Sequence, residues 1–226
     1  LSYKKRYFRF EFQNEIPLSR GLGSSSAVIV SAIASAYAIE GIKVEKERLL
    51  NLSLAYESHP DNITPAVMGG FNVASVHENE VKFINKSIPR SLKAVVVVPN
   101  RPISTTLSRK TLPYKYSKED TIFNISHSSL LTAAFMSENW EMLKYASADM
   151  VHQQFRMKHM PELFEVQKTA LKNGALMSTL SGSGSTFFSI AYSEDSQKLE
   201  LALKEKFPHF RVMSVDFDNN GVKIEI

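Results

Sequence analysis

Pro17-Leu18-Ser19-Arg20-Gly21-Leu22-Gly23-Ser24-Ser25-Ser26-Ala27 is the segment from which the rest of this 226-residue sequence can be ordered. Upstream, residues 7–12 alternate as Tyr-Phe-Arg-Phe-Glu-Phe, the pattern of a strand with one aromatic-rich face. Downstream, Val28, Ile29, Val30, Ile33 and Ile39 mix with Ala32, Ala34, Ala36 and Ala38. A helix apolar on nearly every side reads as buried, and Gly41 supplies its stop. The order is therefore strand, Gly/Ser loop, helix. Loop amides and a helix N-terminus converge at one point, where unpaired N–H donors and the positive end of the helix dipole suit a phosphate. Gly21 and Gly23 let the backbone approach an anion without a Cβ in the way. The serines add hydroxyls, one of which could ligate a magnesium ion. No Lys follows Gly23, which excludes a Walker A loop, and Ser26 stands where a dinucleotide fingerprint needs Gly. From the residues alone, a serine-capped helix with no ligand is the alternative.

The remaining composition narrows the classes. A formal net charge of +4 is too small an excess to argue for nucleic acid and is compatible with a small anionic substrate. The absence of cysteine excludes disulfides, thiol nucleophiles and Cys-based zinc, and a reducing cytoplasm is the expected compartment. No run approaches the roughly 18 apolar residues of a membrane helix. Six histidines include no His-Glu-x-x-His, and His152 with His159 reads as a helix-face coincidence. The first residue is Leu, so the sequence is expected to be a processed or truncated form of something longer.

Three further segments carry chemistry. Residues 44–57 have helical spacing that His59-Pro60 must end. Glu57-Ser58-His59-Pro60-Asp61-Asn62 then leads to Gly69-Gly70, with Asp61 or Asn62 as a ready N-cap of a short helix. On the bare residues those two merely cap, and His59 packs. Residues 92–98 form a β-rich run that leads to Arg101, Thr105, Arg109 and Leu112-Pro113. Thr105 and Arg109 share a helical face, and a guanidinium is a natural bidentate partner for an amino-acid carboxylate. Arg156 follows a helix expected over residues 139–153. Each arginine alone reads as a solvated charge. Finally, Leu180-Ser181-Gly182-Ser183-Gly184-Ser185-Thr186 lies between two strand-like runs, 175–179 and 187–192.

Taken together these segments resemble the galactokinase, homoserine kinase, mevalonate kinase and phosphomevalonate kinase (GHMP) superfamily. Its central signature is Pro-x-x-x-Gly-Leu-Gly-Ser-Ser-Ser/Ala-Ala. Glu-x-His-Pro-Asp-Asn-x-x-Pro-Ala-x-x-Gly-Gly and Arg-x-x-Leu-Pro are closest to the bacterial homoserine kinase branch. The resemblance implies that residues 17–27 cradle ATP phosphates, that Ser25 and Glu57 hold Mg²⁺, and that Asn62 sits at the substrate hydroxyl. An amide cannot take a proton, which implies direct transfer carried by positioning and charge stabilisation; Asp61 is the alternative base. It also implies substrate contacts from His59, Asp61, Asn62, Thr105, Arg109, Arg156, Gly182, Ser183 and Gly184, with Ser25, Glu57, Asn62 and Arg109 as the catalytic set. Ser185 stands where the superfamily has Pro and should loosen that loop slightly. The superfamily's first motif, which supplies an Asp and an Asn, has no counterpart before Pro17, so these residues alone are not expected to be active.

The implied architecture is α+β. It has an S5-domain-2-like ATP-binding part, lacking its first strands, over residues 1–90, and a ferredoxin-like sandwich over 91–226. The periodicity agrees with helices over 161–173 and 196–207, a strand over 211–217, and an Asn220-Gly221 turn into a strand over 222–226. The implied reaction is phosphorylation of the L-homoserine side chain on the route to threonine. A kinase of another small alcohol such as mevalonate, or a non-catalytic ligand-binding member, are the alternatives. The expected partners are ATP and that substrate, with a homodimer allowed and neither nucleic acid nor membrane involved.

Overall fold

Helix α1 (Ser24–Ile39) shows how the glycine-rich segment is used in space. The structure, a computed structural model, describes residues 7–101, 108 and 110–225. Val30, Ala34 and Tyr37 form the buried face of α1. They pack with Leu49 and Leu50 of α2 (Lys46–Leu54) and Ile63 and Val67 of α3 (Pro60–Met68). The all-round burial expected of α1 is not observed: Val28 is 57% exposed. The uncovered face carries Val28 and Ile29 to the wall of a cleft, which explains why it is apolar without being packed.

Beneath these helices lies the hairpin of β1 (Phe71–His77) and β2 (Glu80–Lys86). Glu78 and Asn79 both take positive φ, the requirement of a two-residue turn matched to strand twist. This hairpin is not among the elements expected from the sequence. Val81 closes the core from β2.

The second half is a four-stranded antiparallel sheet ordered β4 (Met177–Leu180), β5 (Phe187–Tyr192), β3 (Leu92–Val98), β6 (Arg211–Val215). Phe187 and Ala191 of β5, with Val95 and Val97 of β3, join the core formed with α7 (Glu162–Lys172) and α8 (Ser193–Lys206). Ile190 of β5 and Leu92 of β3 join a separate core with Phe135 of α4 (Lys118–Ser137), Trp140 of the short 3₁₀ turn Trp140–Met142, and Leu143 of α5 (Leu143–Ala146). Because both faces are covered, β3 reads as a continuous apolar run rather than an alternating one.

Four local expectations are corrected. Residues 7–12 form no strand; Tyr7 and Phe12 are 90% and 75% exposed. Alternation makes a strand only when a neighbour takes up its backbone hydrogen bonds. Residues 222–225 form none either. The Asn220-Gly221 turn does form, with both amides donating to the Asp218 carboxylate. It sends the chain back to α3, where Val222 N donates to Val67 O. No single helix runs over 139–153: the turn Trp140–Met142 and α5 cover its first part, and the Asp149 carboxylate then accepts from the amides of residues 151–153 in competition with helical carbonyls. The short helix α6 (Gln153–Met157) begins there instead. Lastly, α3 starts at Pro60 with His59 as N-cap and no side-chain cap, so Asp61 and Asn62 lie inside its first turn. The helix α4 is a further element absent from the sequence analysis; its signal is Ser117, whose hydroxyl accepts from Asp120 N three residues on.

Candidate active site

The glycine-rich loop, the start of α3, the loop after β4 and helix α6 meet at an open cleft of about 930 Å³. Gly23 takes a left-handed conformation as the N-cap of α1, and its carbonyl accepts from Ala27 N. No side chain caps this helix. The amides of Ser24, Ser25 and Ser26 thus lack carbonyl partners in the helix and sit at its positive end. The serine-capped alternative is not what forms. Ser25 is exposed, whereas Ser26 is buried.

The loop is held from behind by its glycines. Gly21 has φ +77°, and a Cβ there would strike the Ser181 carbonyl oxygen and lie 2.9 Å from Gly184 N. The two loops are strapped together by Ser181 Oγ donating to Gly21 O at 2.8 Å and Thr186 N donating to Arg20 O at 3.0 Å. The Arg20 guanidinium donates to the carbonyls of Pro99 and Asn100 at 3.1 and 2.9 Å. Its charge therefore ties the loop to the end of β3.

Asn62 faces this loop at Gly23, where an added Cβ would lie 3.6 Å from its Oδ1. Glu57, His59 and Asp61 line the same cleft, and Glu57 Oε1 accepts from His59 N at 3.4 Å. Across the cleft, Arg156 Nη1 donates to Gly182 O at 2.9 Å, and Gly182 and Ser183 complete that wall. Ser185 does not loosen its loop: it is fully buried and its hydroxyl donates to Arg101 O at 2.8 Å.

The structure thus brings residues 17–26 together with Glu57, His59, Asp61, Asn62, Arg156, Gly182 and Ser183. Ala27 and Gly184 are not on the cleft wall: Ala27 N closes the first helical hydrogen bond, and buried Gly184 packs behind Gly21. Thr105 and Arg109 lie outside the described residues. His152, set aside from the sequence as a coincidence, lines the cleft beside Arg156. His159 is elsewhere, with Nε2 2.5 Å from Thr111 Oγ1. The signal for His152 was its four-residue spacing from Arg156.

Comparison with known proteins identifies the family. Residues 2–70 match the GHMP kinases N terminal domain, and residues 128–209 match the GHMP kinases C terminal model. Homoserine kinase of Aliarcobacter butzleri (strain RM4018) is 84% identical over 226 residues, covering 100% of this chain and 77% of that protein. The chain belongs to the homoserine kinase family. The homoserine kinase of a Nitratiruptor species is 63% identical, covering 96% of this chain and 74% of its own length. The crystal structure of homoserine kinase from Cytophaga hutchinsonii ATCC 33406 superposes with a TM-score of 0.85 at 25% identity, over 92% of this chain and 69% of that one. A mevalonate kinase structure superposes at 0.67 with 17% identity, over 91% of this chain and 68% of that one, which establishes the shared fold. The fold is thus the α+β GHMP kinase fold that the sequence implied.

The donor set suits the groups such a kinase handles. Three amides, an exposed Ser25 hydroxyl and a glycine cradle fit a phosphate chain. Ser25 and Glu57 are hard oxygen donors on the same cleft. No cluster of three or more His, Cys, Asp or Glu able to hold a metal occurs among the described residues. The two hard oxygens of Ser25 and Glu57 fit Mg²⁺, which is held by one or two protein oxygens plus substrate phosphates.

Proposed function

We propose that this protein transfers the γ-phosphoryl group of ATP to the side-chain hydroxyl of L-homoserine, releasing ADP and O-phospho-L-homoserine on the route to threonine. The observation that carries the reading is the meeting, on one cleft, of a glycine-cradled helix N-terminus with the Arg156 guanidinium and the Asn62 amide, in a homoserine kinase family chain. The amides of residues 24–26 hold the phosphates by hydrogen bonds that need no reorganisation during transfer. Asn62 orients the substrate hydroxyl next to the loop that it faces. The hydroxyl oxygen forms the new P–O bond as the bond from the γ-phosphorus to the bridging oxygen breaks. No side chain need accept the proton, which leaves to phosphate oxygen or solvent. Arg156 and Gly182 form the wall that receives the amino-acid end, and Arg156 supplies a charge for its carboxylate. Ser25 and Glu57 would hold Mg²⁺, which when bound neutralises charge on the transferring group. A cytoplasmic setting fits a chain without cysteine.

The test is ADP release by the purified full-length protein across a panel of hydroxylated amino acids and mevalonate. Homoserine should be the preferred acceptor. Ser25→Ala and Glu57→Gln should each lower turnover by about 10²–10³-fold, the scale of losing one transition-state stabilising group. Phosphorylation of mevalonate with homoserine ignored would replace the substrate assignment. Unchanged turnover of Glu57→Gln at limiting Mg²⁺ would remove Glu57 from the metal site.

A further inference from the structure

Asp149 is a nearly dry carboxylate that phosphoryl transfer as described above does not use. Its side chain is 7% exposed. Oδ1 accepts from Asn124 Nδ2 at 3.0 Å and Val151 N at 3.3 Å, and Oδ2 from His152 N at 2.9 Å and Gln153 N at 2.6 Å. Asn124 also accepts from Met150 N at 2.7 Å, so α4 grips both ends of the turn. Tyr116 OH donates to Val151 O, and Gln153 Oε1 accepts from Leu180 N. The turn that launches α6 is therefore pinned to α4, to the segment before it and to β4. A carboxylate buried for capping alone is a costly choice, since neutral Asn or Ser caps as well.

What the charge faces is His152. Its Nε2 lies 3.8 Å from Asp149 Oδ1, and its Nδ1 lies 3.5 Å from Arg156 Nη1. Burial pushes the imidazole below its ordinary value; Asp149 pulls it up and Arg156 pushes it down. The groups that act on its charge are thus Asp149 before it and Arg156 on α6; Glu57, His59 and Asp61 line the same cleft. At neutral pH the ring carries one proton. A carboxylate only accepts and a guanidinium only donates, so the proton belongs on Nε2 and the lone pair on Nδ1.

We propose that Asp149 is a positioning residue that fixes the His152 tautomer and, through it, the direction of the Arg156 guanidinium at the substrate wall. The carboxylate draws the proton to Nε2, and Nδ1 then offers Arg156 an acceptor that complements Gly182 O on the same nitrogen. Arg156 is thereby set before substrate arrives, and binding need not order a long side chain. This rests on the reading of Arg156 as the carboxylate-binding group.

The experiment pairs kinetics with a spectrum. Asp149→Asn should raise the Michaelis constant for homoserine about tenfold, the scale of one charge-assisted contact, with that for ATP unmoved. The ¹⁵N spectrum of the His152 ring should show the Nε2–H tautomer in the wild type and a mixture in Asp149→Asn. His152→Ala should reproduce the kinetic loss. His152→Asn keeps an acceptor near the Nδ1 position and should restore homoserine binding, which a merely structural role would not predict. This pair also decides the matter if Asp149→Asn does not fold. An Nδ1–H tautomer in the wild type, equal losses in the two His152 variants, or a folded Asp149→Asn with both Michaelis constants unchanged would each overturn the proposal. Arg156→Lys separates the two ideas: if it leaves homoserine binding unmoved, the substrate role of Arg156 falls, while the ring spectrum still decides whether Asp149 sets the tautomer.

Discussion

The two walls of the cleft are built from different materials. One is mainly backbone: residues 19–26 offer amides shaped by left-handed Gly21 and Gly23, with the Ser25 hydroxyl the one side-chain group assigned to the phosphates and metal. The other is side chain: Arg156 reaches the cleft from a five-residue helix whose start depends on a buried carboxylate. Ser25 apart, a backbone wall tolerates changes of side chain but not the addition of a Cβ where loops touch. A side-chain wall depends on the charges and protons behind it. Phosphate binding suits the first kind, because every nucleoside triphosphate presents the same oxygens. Choice of acceptor suits the second, because specificity lies in charge and shape.

The largest effect that would break this contrast is Gly21→Ala. The methyl meets the Ser181 carbonyl and Gly184 backbone, neither of which is a flexible side-chain end, and φ of +77° adds about 1–3 kcal/mol of backbone strain. Turnover should fall more than about a hundredfold, the scale of losing a preorganised donor, and the melting temperature should drop. Gly41→Ala is the matched control: φ is also left-handed, at +64°, but a Cβ there meets nothing within 4 Å. It should cost only about 1 kcal/mol of strain and leave kinetics alone. Equal losses of turnover in both variants would show that left-handed strain, rather than the seam between the loops, governs the phosphate wall.

Arg20→Ala probes where the walls join. Its guanidinium crosses from the phosphate loop to carbonyls at the end of β3, just before the segment that carries Thr105 and Arg109. Losing two partly exposed charge-assisted bonds should cost about 1–3 kcal/mol of stability. If the tie couples the walls, the Michaelis constants for ATP and homoserine should rise together. A rise confined to ATP would return Arg20 to the simple phosphate-contact role that the sequence implied.

These differences also explain what was legible beforehand. The loop and helix N-terminus proposed to hold phosphate were readable because their glycine needs are local: residues 17–27 carry both the turn and the start of α1. The apolar run of β3 was readable because burial on two faces demands it. Residues 7–12 misled because an alternating pattern cannot state whether a partner strand is present. Residues 139–153 misled because helical spacing competes with the Asp149 carboxylate, whose effect depends on Asn124, 25 residues away in sequence. His152 looked incidental because its meaning lies in what surrounds it, and spacing to Arg156 says nothing of the burial or the Asp149 charge that give the ring a role. Asn62 was placed at the substrate hydroxyl by resemblance; its nearness to Gly23 is visible only in three dimensions.

The smallest expected effect is in acid, and it distinguishes the walls by proton sensitivity. Burial holds the His152 imidazole below its ordinary value, so the unfolded chain binds that proton more readily than the folded protein. Its contribution to stability is complete above about pH 6.5 and is lost as pH falls toward the folded-state value. Burial pushes the Asp149 carboxyl up, but the bonds from Asn124 and from the Gln153 and His152 amides outweigh it and hold it below the usual carboxylate range. Its contribution is complete above about pH 3.9 and is lost below that. Denaturant melts from pH 8 to 3 should therefore show two acid-side declines. His152→Gln should remove the upper one. Asp149→Asn should shrink the lower one, leaving the share of exposed Glu80 and Glu165, which Lys82 and Lys206 also hold low, and deepen the upper, because the carboxylate no longer pulls the imidazole up. A Gly41→Ala protein should keep both, shifted by a constant. If His152→Gln leaves the decline between pH 6.5 and 5 unchanged, the ring is not held neutral by its surroundings, and the side-chain wall is no more sensitive to protons than the backbone wall.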